Sequence, residues 1–377
     1  MEKNEFENST RPMRIAHIMG KLWAGGVEAV VFNYYRAIDK TKYQFDFYYD
    51  ADSTVSPPED LIKMGARFYK IPPYQQLGNY LYTLKKYLKK NNYLIVHSHI
   101  NTLSVFPLYA ARKAGIPIRI AHNHSVPGGN EFRRNAMKKA LRLFAKLNAT
   151  DYFACSEKAG RWMFGNRAFE KGEVFIMKNA INFELFKQPE SETMVIKQKY
   201  NLKNKFIVGH VGRFTFAKNH DFLLDIFKEI KQIINDAVLF LVGDGELRDK
   251  INKKIKDLSL ENSVIMTGNV SNAYKYYSVM DVLILPSIFE GLSMTTVEAQ
   301  AAEKNILISS AIPNEAIISD GCYYMSDTAS AKDWALKAIE VSGHKLSFSE
   351  KRNDYNIENA VIKLQEKYSQ LLARIRL

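Results

Sequence analysis

Short apolar runs rich in Val, Ile, Tyr and Phe alternate along this chain with stretches whose apolar positions recur at helical spacing. In the first half the runs fall at 14–20, 44–49, 67–71, 93–98, 118–122, 151–156 and 174–177, with helical stretches such as 28–38 and 103–114 between them. Several runs are nearly continuous, the pattern of strands covered on both faces. Strand and helix in alternation predict a parallel sheet built from βαβ units. The pattern then restarts, with strand candidates at 206–212, 238–242, 264–267, 282–286 and 306–309 and helical stretches at 221–234, 247–258, 273–280 and 294–302. A polar segment, 187–204, separates the two series. The expected organisation is an α/β chain of two doubly wound domains, 1–190 and 191–350, and a charged helical tail, 351–377, packing back on the N-terminal domain. No repeat of solenoid period is present. Two such domains meeting face to face leave a cleft at the carboxyl ends of their strands, where open α/β sheets bind ligands.

Composition fits that division. A length of 377 residues suits two domains, and 46% hydrophobic residues suffice for two cores. The two cysteines, Cys155 and Cys322, lie far apart, which argues against a disulfide or zinc framework and for a reducing compartment. The N-terminus is polar, and no apolar run approaches the roughly 20 residues that span a bilayer. A cytoplasmic chain is expected, soluble or resting on the inner face of a membrane.

Charge changes the picture. Of the net +13, residues 1–190 carry 29 Lys/Arg against 17 Asp/Glu, so nearly all the excess lies in the first half. Random drift of surface charge, an anionic membrane and nucleic acid are the three readings. The first half lacks the interleaved stacking aromatics and motif of a nucleic-acid binder, which leaves no nucleic-acid partner expected.

The densest candidate chemistry lies in the second half. The strand candidate 206–212 runs into Gly212-Arg213-Phe214-Thr215-Phe216-Ala217-Lys218-Asn219. Arg213 and Lys218 are either solvated loop cations or, with the N-terminus of the following helix, a grip for a diphosphate. Farther on, Pro286-Ser287-Ile288-Phe289-Glu290-Gly291-Leu292-Ser293-Met294-Thr295 leads to Glu298 on a helix. Glu290 and Glu298, eight apart, would reach different parts of an extended ligand, while the N–H groups of Leu292, Ser293, Met294 and Thr295 could take a phosphate. The plainer alternative makes Glu298 a complement to the helix dipole and Glu290 a loop acid.

Taken together, Gly212-Arg213-x4-Lys218, Leu241-Val242-Gly243-Asp244-Gly245 and Asp281–Ser287 followed by Glu290-x7-Glu298 resemble the retaining enzymes of glycosyltransferase family 4 in order and rough spacing over 206–315. The resemblance implies a GT-B fold, two Rossmann-like domains facing across a cleft, with a nucleotide-diphosphate sugar held mainly by the C-terminal domain. It implies that Gly212, Arg213 and Lys218 hold the diphosphate, Glu298 the ribose hydroxyls and Glu290 the transferred sugar. Gly243, Gly245 and the turn ending at Val270 would flank the base, with uridine expected. No metal and no separate cofactor are expected, since cationic side chains neutralise the leaving diphosphate.

The first half carries matching features. Gly25-Gly26 follows the first strand and opens a helix, and the resemblance turns this loop toward the donor. Five of the eight histidines, His17, His97, His99, His122 and His124, sit at strand ends. They are packed or solvated residues or, in His-x-His pairs, metal ligands without a third partner placed by spacing. The resemblance puts a histidine beside the reacting sugar, and His122 is preferred to His124. From Glu131 to Asn148, Phe132, Ala136, Ala140, Leu143, Phe144 and Leu147 recur at helical spacing among Arg133, Arg134, Lys138, Lys139, Arg142 and Lys146. Such a basic amphipathic helix lies on anionic lipid or packs its apolar stripe on its own domain.

The expected function is a retaining, metal-independent hexosyltransferase acting on a lipid-linked glycan acceptor in the synthesis of capsule or exopolysaccharide. The segment 115–124, Gly-Ile-Pro-Ile-Arg-Ile-Ala-His-Asn-His, is similar to capsule and exopolysaccharide members of the family. The alternatives are a nucleotide-sugar epimerase of the same fold and a non-catalytic, membrane-docked subunit that binds nucleotide sugar.

Overall fold

The computed structural model describes residues 11–23, 25–126, 132–270 and 272–375. The chain divides into two compact units, Met1–Ile181 with Asp354–Leu377, and Asn182–Asn353.

The first unit is a seven-stranded parallel sheet in the order β3-β2-β1-β4-β5-β6-β7. Its strands are β1 (Met13–Gly20), β2 (Tyr43–Asp50), β3 (Arg67–Ile71), β4 (Ile95–Ser98), β5 (Ile118–Asn123), β6 (Asp151–Ala154) and β7 (Val174–Ile176). Alternation along β1 sends Ile15 and Met19 to one face and Ala16 and Ile18 to the other. On the Ile15 face, Val30, Val31, Tyr34 and Tyr35 of the helix Gly26–Ala37 pack beside Leu364, Tyr368 and Leu371 of the C-terminal helix Ile357–Arg374. The opposite face takes Tyr80, Leu84 and Leu88 from Leu77–Asn91 and Leu108 and Ala111 from Val105–Lys113. Every residue of β2 is buried, Asp46 included. Its carboxylate is tolerated because Arg14 Nε donates to it at 2.8 Å and the Tyr93 hydroxyl at 2.6 Å.

The second unit is a six-stranded parallel sheet in the order β10-β9-β8-β11-β12-β13. Its strands are β8 (Phe206–Val211), β9 (Ala237–Val242), β10 (Val264–Met266), β11 (Val282–Leu285), β12 (Asn305–Ser309) and β13 (Cys322–Met325). The helices His220–Ile233 and Ala331–Val341 share one core through Leu223, Phe227, Ile230, Trp334 and Ala338. The edge strand β13 escapes the sequence pattern because it is four residues long and only partly covered.

The first boundary falls at Ile181/Asn182, nine residues before the expected 190. The difference has a packing cause: Phe186 meets the rings of Tyr274 and Tyr277 at 6.2 and 5.7 Å, and Glu192 pairs with Lys275 at 3.0 Å, which ties 182–199 to the second unit. The chain rejoins the first unit at Asp354, where Ile181 and Asn356 form a parallel bridge. Arg374 then forks onto Asp151 with bonds of 2.9 and 2.7 Å, pinning the helix end to β6.

The expected helix over 131–148 is shorter, Phe132–Arg142, and continues as i to i+3 turns to Leu147. The stretch 127–131 and the side chains of Phe132, Arg133 and Arg134 lie outside the described residues. The turns bury Ala145 and leave Leu143 81%, Phe144 51% and Leu147 64% exposed. Among the described residues no helix is long and apolar enough to cross a membrane.

Because Leu364 is closed inside the shared core of the first unit, Leu364→Ala should lower stability by about 2–5 kcal/mol. The urea midpoint followed by tyrosine fluorescence measures this; an unchanged midpoint would mean that the C-terminal helix adds nothing to that core.

Candidate active site

In the second unit, the loops leaving the carboxyl ends of β8 and β9 lie backbone against backbone. Phe214 N–H donates to Asp244 O at 3.0 Å and Leu247 N–H to Phe214 O at 3.1 Å. A Cβ on Gly243 would stand 2.1 Å from Gly212 O, and one on Gly245 would stand 2.5 Å from Phe214 O. Glycine is needed at both positions for this close approach, with Gly243 also at φ +139°. Gly212, Arg213, Gly243 and Gly245 are thereby gathered at the end of the central strands. Arg213 reaches out, two-thirds exposed, and faces Glu246 at 3.5 Å.

Lys218 takes the opposite course. Its stem runs past Gly212, where an added Cβ would meet Lys218 Cε at 3.1 Å. Its ammonium pairs with Glu290 at 2.5 Å, both side chains being largely buried, and Ser287 Oγ donates to the same carboxylate at 3.2 Å. Behind it, His210 and His220 stack edge to face at 4.6 Å, and His210 Nδ1 donates to Ile284 O at 2.9 Å. Burial first, and for His220 then the Lys218 charge, pulls both imidazoles down, His220 to about 4, so both stay neutral beneath the cation.

The helix Met294–Ala301 begins where β11's loop ends, with Ser293 Oγ accepting from Thr296 N–H and Thr295 Oγ1 donating to Val211 O at 3.1 Å. Those contacts seat Glu298 beside the β8 loop. Tyr277 donates to Glu298 Oε2 at 2.7 Å. Burial raises the Glu298 carboxyl pKa, while the tyrosine bond and the Lys218 charge oppose that rise. Arg213, Lys218, Glu290, Glu298, Gly243 and Gly245 thus gather at the carboxyl ends of β8, β9 and β11. Leu292 and Val270 sit on flanking loops, each partly exposed.

In the first unit, His17, His97, His99, His122 and His124 project on the Ile15 face of β1, β4 and β5 and form one buried cluster. Two chains of hydrogen bonds run through it. In one, His17 Nδ1 meets His99 Nε2 at 2.9 Å and His99 Nδ1 meets His124 Nε2 at 3.1 Å. In the other, Tyr368 Oη meets His97 Nδ1 at 2.8 Å and His97 Nε2 meets His122 Nδ1 at 3.1 Å. Burial depresses all five pKa values, His17 and His124 to about 3, and neighbouring imidazoles lower the other three further. The rings are neutral. Proximity alone would let His17, His97 and His99, or His99, His122 and His124, hold an ion. Their facing nitrogens are engaged with one another, however, and His97/His99 and His122/His124 stack at 4.2 and 3.9 Å. Among the described residues no carboxylate hydrogen-bonds to the cluster to offset a divalent charge.

Gly25 caps the helix Gly26–Ala37 in extended conformation. A Cβ on it would stand 2.9 Å from Glu28 Oε2, and Glu28 folds back to accept from Trp23 N–H at 2.9 Å. Gly26 has open space around it.

A family model described as Glycosyltransferase Family 4 matches residues 24–185, and one described as Glycosyl transferases group 1 matches 193–360. The putative glycosyltransferase EpsF of Bacillus subtilis is 31% identical over 305 residues, 79% of each chain. The chain belongs to glycosyltransferase family 4. The capsular polysaccharide biosynthesis glycosyltransferase CapH of Staphylococcus aureus is 25% identical over 374 residues, 94% of this chain and 98% of its own. Among solved structures, Anabaena HepE in complex with UDP and glucose superimposes with a TM-score of 0.75 at 17% identity, covering 95% of this chain and 99% of its own. The two Rossmann-like units are therefore those of the GT-B fold.

Sequence reasoning did not single out four residues that shape this candidate site: His210, His220, Tyr277 and Ser287. His210 had a signal, a polar residue inside the otherwise apolar run 206–212. Tyr277 had none, because its partner Glu298 is 21 residues away. Asp50, at the carboxyl end of β2, was also passed over. Burial, with Asp52 adding to it and Lys21 opposing, pushes its carboxyl up to about 6. The folded chain therefore holds this proton more tightly than the unfolded one, so stability falls as pH rises from about 4 through 6. Asp50→Asn should stabilise the chain by about 2–3 kcal/mol at pH 8 and by nothing below about pH 4. Urea unfolding across pH 4–8 tests it, and a gain that does not vary with pH would exclude titration as the cause.

Proposed function

We propose that this chain is a retaining hexosyltransferase that moves a hexose from a UDP-linked sugar to a lipid-linked glycan acceptor during surface polysaccharide synthesis. The observation that carries this reading is the grouping of Lys218, Glu290 and Glu298 at the strand ends of the second unit, Lys218 paired with Glu290 at 2.5 Å and close enough to Glu298 to influence its ionisation. HepE bound to UDP and glucose and the polysaccharide role in CapH's name support the donor and the pathway class.

In this reading Arg213 and Lys218 neutralise the diphosphate as the glycosidic bond breaks, with the N-terminus of Met294–Ala301 adding its positive end. Glu298 accepts from the ribose hydroxyls, oriented by Tyr277. Glu290 accepts from the sugar, and Gly243, Gly245 and Val270 border the base. From the first unit we assign His122 to a sugar hydroxyl and the Gly25–Gly26 backbone to the donor side. The acceptor hydroxyl attacks the face that the nucleotide leaves, which retains configuration without a covalent nucleophile. Neutralisation by side chains makes the reaction independent of a metal ion.

We also assign the chain to the inner face of an anionic membrane. Exposed Leu143, Phe144 and Leu147 lie among Arg142, Lys146 and Lys139, so apolar side chains can enter the interface where cations meet lipid phosphates.

Calorimetry should show UDP binding weakened about ten- to hundred-fold by Arg213→Ala and by Glu298→Ala. Lys218→Ala should lower kcat/KM by about 100-fold or more. Activity should survive EDTA, and an α-linked donor should give an α-linked product by NMR. A β-linked product would refute retention, and turnover of donor without acceptor would indicate an epimerase. Failure of every nucleoside diphosphate to bind would refute the donor site itself.

For the membrane assignment, wild-type protein should sediment with phosphatidylglycerol vesicles, less so at high salt. The triple variant Leu143→Ser, Phe144→Ser, Leu147→Ser should lose about ten-fold or more in partitioning. Equal sedimentation of both proteins would remove this surface from the account.

A further inference from the structure

The histidine cluster contains a directional asymmetry. A neutral imidazole has one N–H and one bare nitrogen, so each chain of rings passes its protons in a single sense. The chain His17–His99–His124 ends on two buried nitrogens without a partner, His17 Nε2 and His124 Nδ1. Either sense leaves one unmatched N–H and one unmatched lone pair, so hydrogen bonding gives it no preferred direction.

The second chain is different because it starts at a hydroxyl. Tyr368, on the C-terminal helix, always carries its proton, and among the described residues His97 is the one hydrogen-bond partner its Oη meets. If Tyr368 donates to His97 Nδ1, then His97 Nε2–H donates to His122 Nδ1, and the proton of His122 lies on Nε2. This sense leaves the His122 N–H and a lone pair of the Tyr368 oxygen unmatched. The reverse sense leaves the Tyr368 O–H and the His122 lone pair unmatched. A phenol is the stronger donor and an imidazole nitrogen the stronger acceptor, so the first sense prevails. His122 Nε2 is buried and without a partner in the structure.

We propose that Tyr368 and His97 are positioning residues that hold His122 as its Nε2–H tautomer, a neutral hydrogen-bond donor for a sugar hydroxyl. The sugar contact rests on the function proposed above; the tautomer does not. The depressed pKa of His122, caused by burial and by neighbouring imidazoles, agrees with a ring that donates without becoming charged. The same argument separates His122 from His124, since only His122 ends a chain whose direction is set.

The test is nitrogen NMR of imidazole-labelled full-length protein, with the His122 signals identified by their disappearance in His122→Gln. Wild type should show protonated Nε2 and bare Nδ1 at His122. Tyr368→Phe removes the starting donor and should give a mixture of the two tautomers, with kcat lowered about ten-fold and the donor KM unchanged. A wild-type Nδ1–H tautomer, or a His122 tautomer indifferent to Tyr368→Phe, would overturn the proposal. So would stoichiometric zinc in the purified protein displacing the ring-to-ring bonds. If Tyr368→Phe fails to fold, the wild-type spectrum alone decides. A correct tautomer in a protein without transferase activity would refute the proposed function and leave the chain of positioning residues standing.

Discussion

The ion pair between Lys218 and Glu290 is the contact on which the second unit's site depends. Both side chains are largely withdrawn from water, and a charge so placed is held by its partner. The pair joins the loop leaving β8 to the loop leaving β11, and Glu298 lies within the reach of the same ammonium. The one positive charge of Lys218 is already answered by Glu290. A diphosphate therefore needs further positive potential, which Arg213 and the N-terminus of Met294–Ala301 can supply. Arg213 is suited to that task because its side chain is mostly exposed at the end of β8.

Much of this was legible in the sequence. Continuous apolar runs marked the strands because parallel sheets are covered on both faces, and the restart of the pattern marked the second unit. Arg213, Lys218, Glu290 and Glu298 could be named as candidates because their loops follow strands directly, and the sheet fixes where such loops emerge. Gly243 and Gly245 were noticed as a loop, but their reason appears only in three dimensions: the neighbouring backbone of Gly212–Phe214 leaves no room for a side chain.

The missed features share one property: they depend on partners distant in sequence. Tyr277 acquires its role from Glu298, and His220 from lying under Lys218. The histidines show the limit most clearly. Alternate spacing put His97 with His99, and His122 with His124, on common faces, yet nothing in the pattern revealed that Tyr368, 271 residues from His97, closes the row. The boundary near 181 was misplaced for a similar reason, since polar residues suggested a linker at 187–204 while Phe186 was already packed on the second unit. The basic stripe was the converse case. Helical periodicity aligned Leu143, Phe144 and Leu147, but the helix ends at Arg142 and the turns that follow leave them facing solvent.

The account's central claim is that the strand ends of the second unit bind a nucleoside diphosphate through these particular side chains. A crystal structure of the protein with UDP tests it most directly. The account predicts the diphosphate against Arg213, Lys218 and the N-terminus of Met294–Ala301, with the ribose hydroxyls on Glu298. A nucleotide bound elsewhere, or bound here with its ribose away from Glu298 and its phosphates away from Lys218, would contradict it.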